Sequence, residues 1–515
     1  MSALVTDQFR IFNANNFVES IENSSNSYYV YVGLPNPAAV GFGRTSDWDT
    51  NTPSPVDNLD YEYHYKDNMM FGKKVTGLNV RRLVRRIDWS RGTKYEMYRH
   101  DYSITNRSPI TNSTRLYDAN YYVINSDFKV YICIDNGSSG NNPLGNASQD
   151  EPTFTDLEPT KAGESGDGYV WKYLFTVSPS DIIKFDSTEY ITVPNNWSTS
   201  TDAQIQSVRE NGDSTANDNQ IKKIYIENEG SGYSSGTGQV VDIIGDGTGG
   251  QVVLDIVGGK ITNAQVSSGG KGYTYGIIDT GNLNASSNQN AKLVPIIPPS
   301  RGHGYDLYKE LGTDKVLVYA RFDDSTRDFP VDTKFSQIGL VKNPVSFGST
   351  EIYQAAEYSS LNAIKFTSTS GTVAAGDIIS QTATNGTAKG YVASFDTETN
   401  VLKYYTDRTS NYNSTTFDQK DYLGISTTGK IYAFESSSNP VTSDGGFSGS
   451  VDVNFTGITT NPTGTKIISL GSQFTNGLAT PEINKESGDL IYIDNRPLVS
   501  RNSRQKEDVK IILEF

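Results

Sequence analysis

Short apolar and aromatic runs alternate with turn-forming clusters along residues 1 to about 200, and this pattern predicts strands. The run Ser27–Gly33 (SYYVYVG) is one strand candidate, and prolines follow it closely. In Tyr169–Val177 (YVWKYLFTV) aromatic residues recur at every second position and therefore share one face of a strand. Lys172 interrupts the other face, so we expect this strand to be buried on one side only.

A hairpin and two helices are predicted in the same part of the chain. Tyr121–Ile134 (YYVINSDFKVYICI) predicts two strands joined by a turn at residues 125–127. One helix is predicted at the opening of the chain. The other is predicted over Leu78–Trp89 (LNVRRLVRRIDW), where Leu83 and Ile87 recur at helical spacing.

An internal repeat with a period of 40 residues begins at Ile221. Ile221–Ile226 leads to the turn Gly230-Ser-Gly-Tyr233, and Ile261–Val266 leads in the same way to Gly270-Lys-Gly-Tyr273. Each unit predicts a strand followed by a sharp turn, where glycine adopts positive φ and tyrosine covers the turn. Two copies are too few for a long solenoid, and they predict a small β domain built by duplication.

The second half of the chain changes character and then returns to compact strand signals. Residues 348 to about 462 are dense in Thr, Ser, Gly and Asn, yet aromatic residues remain frequent, which favours a second β insertion over a disordered linker. Its strand candidates are Gly390–Phe395, Leu402–Tyr405 and Gly429–Phe434. Further strands are predicted at Leu490–Ile493 and Asp508–Phe515, and a terminal apolar strand normally has to be tied into a sheet.

Together these patterns predict a mainly β fold, with a β-sandwich-like body, a few short helices and two inserted small β domains. The body is expected to comprise residues 1–204, 301–345 and 476–515. The inserted domains are expected at residues 205–300, which hold the Gly-x-Gly-Tyr repeat, and at residues 346–475.

Composition excludes several classes of function. The 515 residues carry 59 acidic and 44 basic side chains, a formal net charge of −15, which argues against nucleic acid as the main ligand. No apolar run approaches the length that spans a bilayer, and the N-terminal segment lacks the pattern of a signal peptide. Cys133 is the one cysteine, so an intrachain disulfide is impossible, and three scattered histidines make a multi-histidine metal site improbable.

Three segments come close to ligand-binding motifs, and each departs from its motif at a decisive position. Gly424–Ile431 resembles a phosphate-binding loop, but Ile431 stands where Ser or Thr holds magnesium. Gly245–Gly250 is glycine-rich, but no helix is predicted after it, so a plain turn is favoured. Asp47–Thr52 begins like a calcium loop but has Thr52 where the bend needs glycine, so a solvated turn is favoured over a calcium site.

The sequence also lacks the usual marks of a hydrolase. No Gly-x-Ser-x-Gly elbow is present. His64 and His100 are flanked by Tyr and Arg, which favours structural roles over general-base roles. Paired carboxylates for glycoside hydrolysis remain open, because 59 acidic residues offer many pairs.

Arg81, Arg82, Arg85 and Arg86 form the one notable cluster of charge. On the predicted helix they would stack at one-turn spacing and form a basic ridge. Such a ridge could dock an acidic neighbour through bidentate carboxylate contacts. The alternative, that these arginines pair with the chain's own acidic residues, is equally favoured.

Four long strings stand out in the sequence. They are Gly166–Phe175 (GDGYVWKYLF) with Glu189–Pro194, Arg86–Trp89 with Tyr95 and Tyr98, Gln337–Pro344, and Ser487–Pro497 (SGDLIYIDNRP) through Phe515. These strings resemble one protein family, the baseplate wedge subunit called gene product 8 of T-even-type contractile-tailed bacteriophages. They are most similar to the versions carried by cyanobacterial phages. They are long and correctly ordered, and the resemblance covers roughly residues 1–200, 300–350 and 480–515.

The resemblance implies a mostly β body that dimerises, lies between neighbouring wedge proteins in the virion tail baseplate, and is assembled in the host cytoplasm. It implies no catalysis and no cofactor, no bound nucleic acid and no insertion into a membrane. The candidate interface residues are Arg81, Arg82, Arg85, Arg86, Trp89, Arg496 and Arg501.

Two other functions remain as alternatives. A carbohydrate-binding or receptor-binding tail protein would use exposed aromatic residues of the inserted domains to stack on sugars. A polysaccharide-degrading enzyme would hold a carboxylate pair that the sequence does not mark.

Overall fold

The computed structural model describes residues 5–33, 47–57, 62, 65–66, 68–211, 220–281, 283, 290–323, 333–406, 432–501 and 505–515. The chain forms two compact units. The first unit holds residues 1–18, 81–317 and 512–515, and the second holds residues 19–80 and 318–511. Within the described ranges, no helix is long and apolar enough to cross a membrane.

Strands greatly outnumber helices in the described part of the chain. The helices are α1 (Asp7–Glu22), α2 (Pro179–Phe185), α3 (Ala203–Asn211) and α4 (Leu307–Leu311). The strands up to residue 300 are β1 (Tyr28–Gly33), β2 (Met69–Val75), β3 (Val80–Arg85), β4 (Tyr122–Ile124), β5 (Lys129–Asn136), β6 (Tyr169–Thr176), β7 (Tyr190–Val193), β8 (Ile224–Asn228), β9 (Gly236–Gly245), β10 (Thr248–Val257), β11 (Lys260–Lys271), β12 (Gly276–Ile278) and β13 (Lys292–Pro295).

The remaining strands are β14 (Lys315–Phe322), β15 (Lys334–Lys342), β16 (Glu357–Ser359), β17 (Asn362–Ser370), β18 (Ile378–Ala383), β19 (Gly386–Asp396), β20 (Val401–Tyr405), β21 (Val441–Ser443), β22 (Ser448–Val451), β23 (Gly457–Thr460), β24 (Ile468–Phe474), β25 (Leu478–Ala479), β26 (Asp489–Ser500) and β27 (Glu507–Glu514). The prediction of a mainly β fold with a few helices is confirmed. The division into a body and two insertions, with its five segments, stays a prediction.

In the first unit, β4, β5 and β6 form a three-stranded antiparallel sheet. The predicted hairpin is confirmed, and the Asn125 side chain holds its turn by accepting hydrogen bonds from the backbone N–H groups of Asp127 and Lys129. The prediction that β6 is buried on one side only is wrong. Lys172 and Leu174 are as fully buried as the aromatic residues on the opposite face.

The helix predicted over Leu78–Trp89 is also wrong, because half of this segment forms β3. β3 lies between β14 and β7 in a four-stranded sheet of order β27-β14-β3-β7, and β7 pairs with it from Arg82 to Arg85. An apolar run this short fits a helix or a buried strand equally well, and the neighbouring strands decide between them. The same sheet contains β27, so the C-terminal strand is tied into a sheet as predicted.

The Gly-x-Gly-Tyr repeat builds the small β region from β8 to β13. Its sheets have the orders β11-β10-β9-β12 and β13-β8, and both are antiparallel. Gly230, Gly232, Gly270 and Gly272 all have positive φ, as the repeat predicts. Tyr233 and Tyr273 are buried in the core of this region. The repeat therefore uses the same turn twice, with the tyrosine ring beneath it.

The second unit contains a five-stranded antiparallel sheet of order β16-β2-β1-β15-β26. Tyr29, Tyr31 and Tyr358 belong to the apolar cluster of this sheet. The strand candidates at Ser27–Gly33 and Leu490–Ile493 are confirmed as β1 and as part of β26.

A small closed barrel forms the other main part of the second unit. Its strands follow the order β20-β19-β18-β21-β22-β17, and β20 also pairs with β17, which closes the circle. Closure leaves no open edge on these strands. Predicted strands Gly390–Phe395 and Leu402–Tyr405 lie in β19 and β20. Of the predicted strand Gly429–Phe434, residues 429–431 lie outside the described residues, and residues 432–434 are not in a strand.

We predict that Tyr273→Phe lowers the free energy of unfolding by about 1–2 kcal/mol, because its buried hydroxyl binds two backbone groups. This hydroxyl donates to the Ile243 carbonyl at 2.9 Å and accepts from the Gly250 N–H at 3.1 Å. Urea denaturation of the whole chain measures the loss. Tyr275→Phe is the matched control, since Tyr275 is 60% exposed, and it should leave the unfolding midpoint unchanged.

Candidate interface residues

The two arginines at the start of β3 are held inside the first unit. Arg81 makes a two-point contact with the Asp181 carboxylate on α2, at 3.0 Å and 2.9 Å, and its guanidinium lies 5.1 Å from the centre of the Phe185 ring. Arg82 is 3% exposed. Its Nε donates to Asn15 at 2.6 Å.

Arg82 also reaches the segment before α3 and the helix α4. Its Nη1 donates to the Asn195 carbonyl at 3.2 Å, and its guanidinium stacks 4.2 Å from the centre of the Tyr308 ring. The Tyr308 hydroxyl in turn donates to the carbonyl of Pro194 at 2.8 Å. Arg82 thus joins a central strand to two other parts of the unit by a charge-assisted and stacked contact that lysine cannot reproduce.

The next two arginines are closer to solvent. Arg85 is exposed and donates to the Ala119 carbonyl at 3.1 Å. Arg86 contacts the carboxylates of Asp88 and Asp186 at 2.9 Å and 3.0 Å, and both partners are more than half exposed. Because these four arginines lie in and beside a strand, they alternate between two faces and do not form the helical ridge that the sequence predicted.

The other candidate residues differ strongly in accessibility. Trp89 is half-buried and donates from Nε1 to the Ser148 hydroxyl at 3.0 Å. In the second unit, Arg496 is about half exposed and pairs with Asp494 at 2.7 Å. The Arg501 side chain is fully buried and contacts the Glu507 carboxylate at 2.6 Å. All these contacts lie within the chain, and the prediction that these residues contact another subunit stays a prediction.

Two of the strings that carry the family resemblance lie far apart in the sequence but contact each other in the fold. Tyr95, from the string that begins at Arg86, has its ring 5.8 Å from Trp171, and Tyr169 stacks on Trp171 at 5.3 Å. The Tyr169 hydroxyl accepts a hydrogen bond from the Tyr95 N–H at 2.9 Å. All three side chains are buried in the same core. The two strings therefore stabilise the interior of the first unit.

The second unit contains a comparable pair of strings. Gln337–Pro344 contributes most of β15, and Ser487–Pro497 contributes most of β26. These strands are antiparallel neighbours, with Gln337 opposite Asn495 and Ile338 opposite Asp494. The residues that carry the resemblance thus form the interior of one unit and adjacent strands of the other.

The near-motifs form ordinary turns where they are described. Gly245–Gly250 makes the turn from β9 to β10, as favoured, and hydrogen bonds from Thr274 lower the pKa of Asp246 there to about 2. At Asp47–Thr52, Asp49 accepts a hydrogen bond from the Leu498 N–H. Across the described ranges, no group of three or more His, Cys, Asp or Glu side chains could hold a metal ion. The candidate phosphate loop Gly424–Ile431 lies outside these ranges.

The histidines have structural surroundings where they are described. His100 accepts a hydrogen bond from the Ile297 N–H at 3.1 Å, and burial lowers its pKa. His303 is buried and its Nδ1 lies 2.6 Å from the Glu310 carboxylate, which also accepts from the Gly304 N–H at 2.6 Å. His64 lies outside the described residues.

Sequence reasoning missed the buried lysine of β6. The Lys172 ammonium donates to the Leu157 carbonyl at 2.6 Å. Desolvation, together with the nearby charge of Lys222, lowers the pKa of Lys172 to about 8. The sequence offered one signal for this residue, since a lone lysine in an otherwise apolar strand must either reach solvent or find a buried acceptor.

The sheets, the buried aromatic residues and the internally bonded arginines define a β-rich protein whose described polar side chains chiefly hold loops and strands together. A family model described as Bacteriophage T4, Gp8 matches residues 132–229, from β5 to β8. The baseplate wedge protein gp8 of Enterobacteria phage T4 is 26% identical over 220 residues, which is 37% of this chain. The chain spans 60% of the length of that relative. These two findings confirm the resemblance to the gene product 8 family.

We predict that Arg82→Lys destabilises the first unit by about 2–3 kcal/mol, because lysine cannot keep the stacking on Tyr308 and the forked hydrogen bonds together. Thermal and urea unfolding measure this change. Arg86→Lys is the matched control and should cost under about 1 kcal/mol, since its acidic partners are exposed. Equal losses for the two variants would contradict this role of Arg82.

We predict that burial of Lys172 makes stability depend on pH. The folded pKa is lowered to about 8, so the cost of a buried charge is present in full below pH 8 and declines as pH rises toward the unfolded value. Between pH 7 and 10 the wild type should gain roughly 2–3 kcal/mol relative to Lys172→Met. Urea unfolding at several pH values tests this. The control is Lys161→Met, which replaces an exposed lysine and should leave the pH dependence of stability as in the wild type.

Proposed function

We propose that this chain is a structural subunit of a phage tail baseplate wedge, located in the virion. It would link neighbouring wedge proteins during baseplate assembly and tail contraction, without catalysis and without a cofactor. The observation that carries the proposal is the match of residues 132–229 to the gene product 8 family model. The similarity to the baseplate wedge protein gp8 of phage T4 adds to it.

The positions of the resembling strings support this proposal. They form the aromatic interior around Trp171 and the β15–β26 pair, so the resemblance concerns the scaffold of each unit. Surfaces can diverge on such a scaffold while the fold is kept, since insertions between strands are tolerated at a surface. We propose that residues 205–300 and 346–475 are such insertions.

We further propose that the subunit forms a homodimer and contacts other wedge proteins. A chain with a net charge of −15 repels its own copies at long range, so association needs specific contacts. Of the candidate interface residues, Arg85 and Arg496 are exposed, so their side chains are open to a partner. Arg82 and Arg501 are buried, and they would act indirectly by stabilising the strands beneath the surface.

The carbohydrate-binding alternative gains no support from the aromatic residues of the proposed insertions. Most of those that the structure describes are buried, as Tyr233, Tyr273, Tyr391, Tyr404 and Phe447 illustrate. Stacking on a sugar ring requires an exposed aromatic face. Tyr275 and Phe347 are the described aromatic residues of these segments that are more than half exposed.

We predict that phage particles made without this chain lack a complete baseplate and a functional tail. Electron microscopy of lysates from a host infected with a nonsense mutant would measure this, with the wild-type chain supplied in trans as the control. Sedimentation of the purified chain with the other wedge proteins should show a stable complex. Complete tails in the mutant lysate would contradict the proposed function.

A further inference from the structure

Strand β9 of the repeat region does not follow the usual alternation of an antiparallel sheet. Val241 and Ile243 face the core of this region and are buried there. Val240 and Ile244 lie on the opposite face, and they are 59% and 50% exposed. An antiparallel sheet with one solvated face normally carries polar residues on that face. β9 therefore presents apolar side chains on both of its faces.

The two strands beside β9 extend this apolar surface. Ile277 of β12 lies directly opposite Ile244 and is 59% exposed. Val253 of β10 lies directly opposite Val240 and is half-buried. No β-bulge interrupts the pairing at these positions, and directly opposed residues of neighbouring strands project to the same side. We call Val240, Ile244, Val253 and Ile277 the outer apolar face.

A carboxylate lies between the two apolar pairs. Asp242 is on the same side of β9, midway between Val240 and Ile244, and it is exposed. The Gln251 side chain, which lies opposite, donates to it at 3.0 Å. β9, β10 and β12 contain no lysine or arginine. The outer apolar face therefore has a negative charge at its centre and no basic residue on its own strands.

The described part of the chain does not cover this face. Single exposed aliphatic residues are normal on a protein surface, but neighbouring ones on one sheet form the kind of patch that marks an interaction site. Strands that are apolar on both faces usually lie beneath a second layer. Among the described residues no such layer is present, since Val240, Ile244 and Ile277 each remain half exposed or more.

We propose that the outer apolar face is a docking surface for another wedge protein, whose contact surface is apolar and places a lysine or arginine opposite Asp242. This inference rests on the proposed function, because the partner belongs to the same wedge. It also gives a role to residues 205–300, which would supply a contact that the body of the subunit does not make.

Charge favours this partner over a second copy of the chain. Two copies packed face to face would bring their Asp242 carboxylates together, and like charges in a contact cost affinity. Asp255 of β10 adds a second negative charge on the same side, where the Asn263 side chain donates to it at 2.9 Å. A basic group supplies the charge that the face lacks, and a charge-assisted hydrogen bond to Asp242 would fix the position of the partner.

The arrangement of the face favours a protein over a sugar. Val240 and Ile244 are four residues apart on one strand, about 13 Å. Apolar contacts on both sides of Asp242 would exclude water from the charged pair and strengthen it. β9, β10 and β12 contain no aromatic residue on which a sugar ring could stack.

The first test measures the accessibility of position 277 in the full-length chain. Cys133, the natural cysteine, is fully buried, so in Ile277→Cys the introduced thiol is the one that reacts with a maleimide. It should react rapidly in the isolated chain, and roughly ten-fold or more slowly once the chain has joined a wedge assembled from the other wedge proteins of the same phage. Ile183→Cys is the control, since Ile183 on α2 is 81% exposed, and its rate should be the same in both states.

The second test measures binding of purified variants to the same assembled wedge proteins by sedimentation. Ile277→Asp should weaken binding roughly ten-fold or more, and Ile183→Asp should leave it unchanged. Both should keep the thermal midpoint of the isolated wild type, because both isoleucines are exposed. Wild-type binding should also weaken as the salt concentration rises, and Asp242→Asn should bind less tightly at low salt and lose most of this dependence.

Four results would overturn this inference. Slow labelling of Ile277→Cys in the isolated chain would show that the chain covers its own face. Unchanged labelling in the assembled wedge, or normal binding by both Ile277→Asp and Asp242→Asn, would show that no wedge protein docks there. Protection of position 277 by host cell envelopes but not by the wedge would indicate a receptor instead. Each leaves the proposed function standing if the wild type joins the wedge, whereas failure of the wild type to join would contradict the proposed function itself.

Discussion

Buried tyrosine hydroxyl groups tie the loops of this protein to its strands, and both the aromatic interior and the repeat region depend on them. Tyr169 bonds the backbone of Tyr95, Tyr273 bonds Ile243 and Gly250, and Tyr121 donates to the Glu310 carbonyl at 2.6 Å. A phenol buried in an apolar core gains stability from a hydrogen-bond partner, because a lone polar group there is costly. Each such residue therefore contributes apolar area and also fixes the backbone segment that supplies its partner.

The arginines of β3 act on the same principle with a stronger contact. Arg81 and Arg82 reach side chains and carbonyls from four other segments of the first unit, and their planar groups also pack on aromatic rings. Two of the four clustered arginines are therefore bonded inside the first unit and are not available at its surface. What remains accessible, chiefly Arg85, is a much smaller basic surface than the sequence suggests.

The barrel and the five-stranded sheet of the second unit treat the edges of their strands differently. The barrel of the second unit closes on itself, so its strands satisfy their backbone groups within the chain. The five-stranded sheet does not close, and its last strand is capped over one half by residues from 48 to 53. Backbone hydrogen bonding thus determines which of these elements is complete in itself and which is covered by another segment of the chain.

Local chemistry in the sequence determined the strand-rich fold, the hairpin at residues 125–127 and the two Gly-x-Gly-Tyr turns. Period-two alternation and the need of positive φ for glycine act over a few residues, so they can be recognised without tertiary information. The resemblance of the long strings, too, was evident from the sequence and was confirmed by the family match.

Tertiary structure alone decided what Leu78–Trp89 becomes, how deeply Lys172 is buried and which acids the arginines contact. A short apolar run fits both the period of a helix and the period of a strand. Here β7 pairs with Arg82–Arg85, and this pairing selects the strand. The sequence predicted that Lys172 marks a solvent face, but the Leu157 carbonyl allows its ammonium to stay inside. Asp181 lies 100 residues from Arg81 in the sequence, and Asp49 lies 449 residues from Leu498. Such partners are brought together only by the folding of the whole unit, so no local pattern could reveal them.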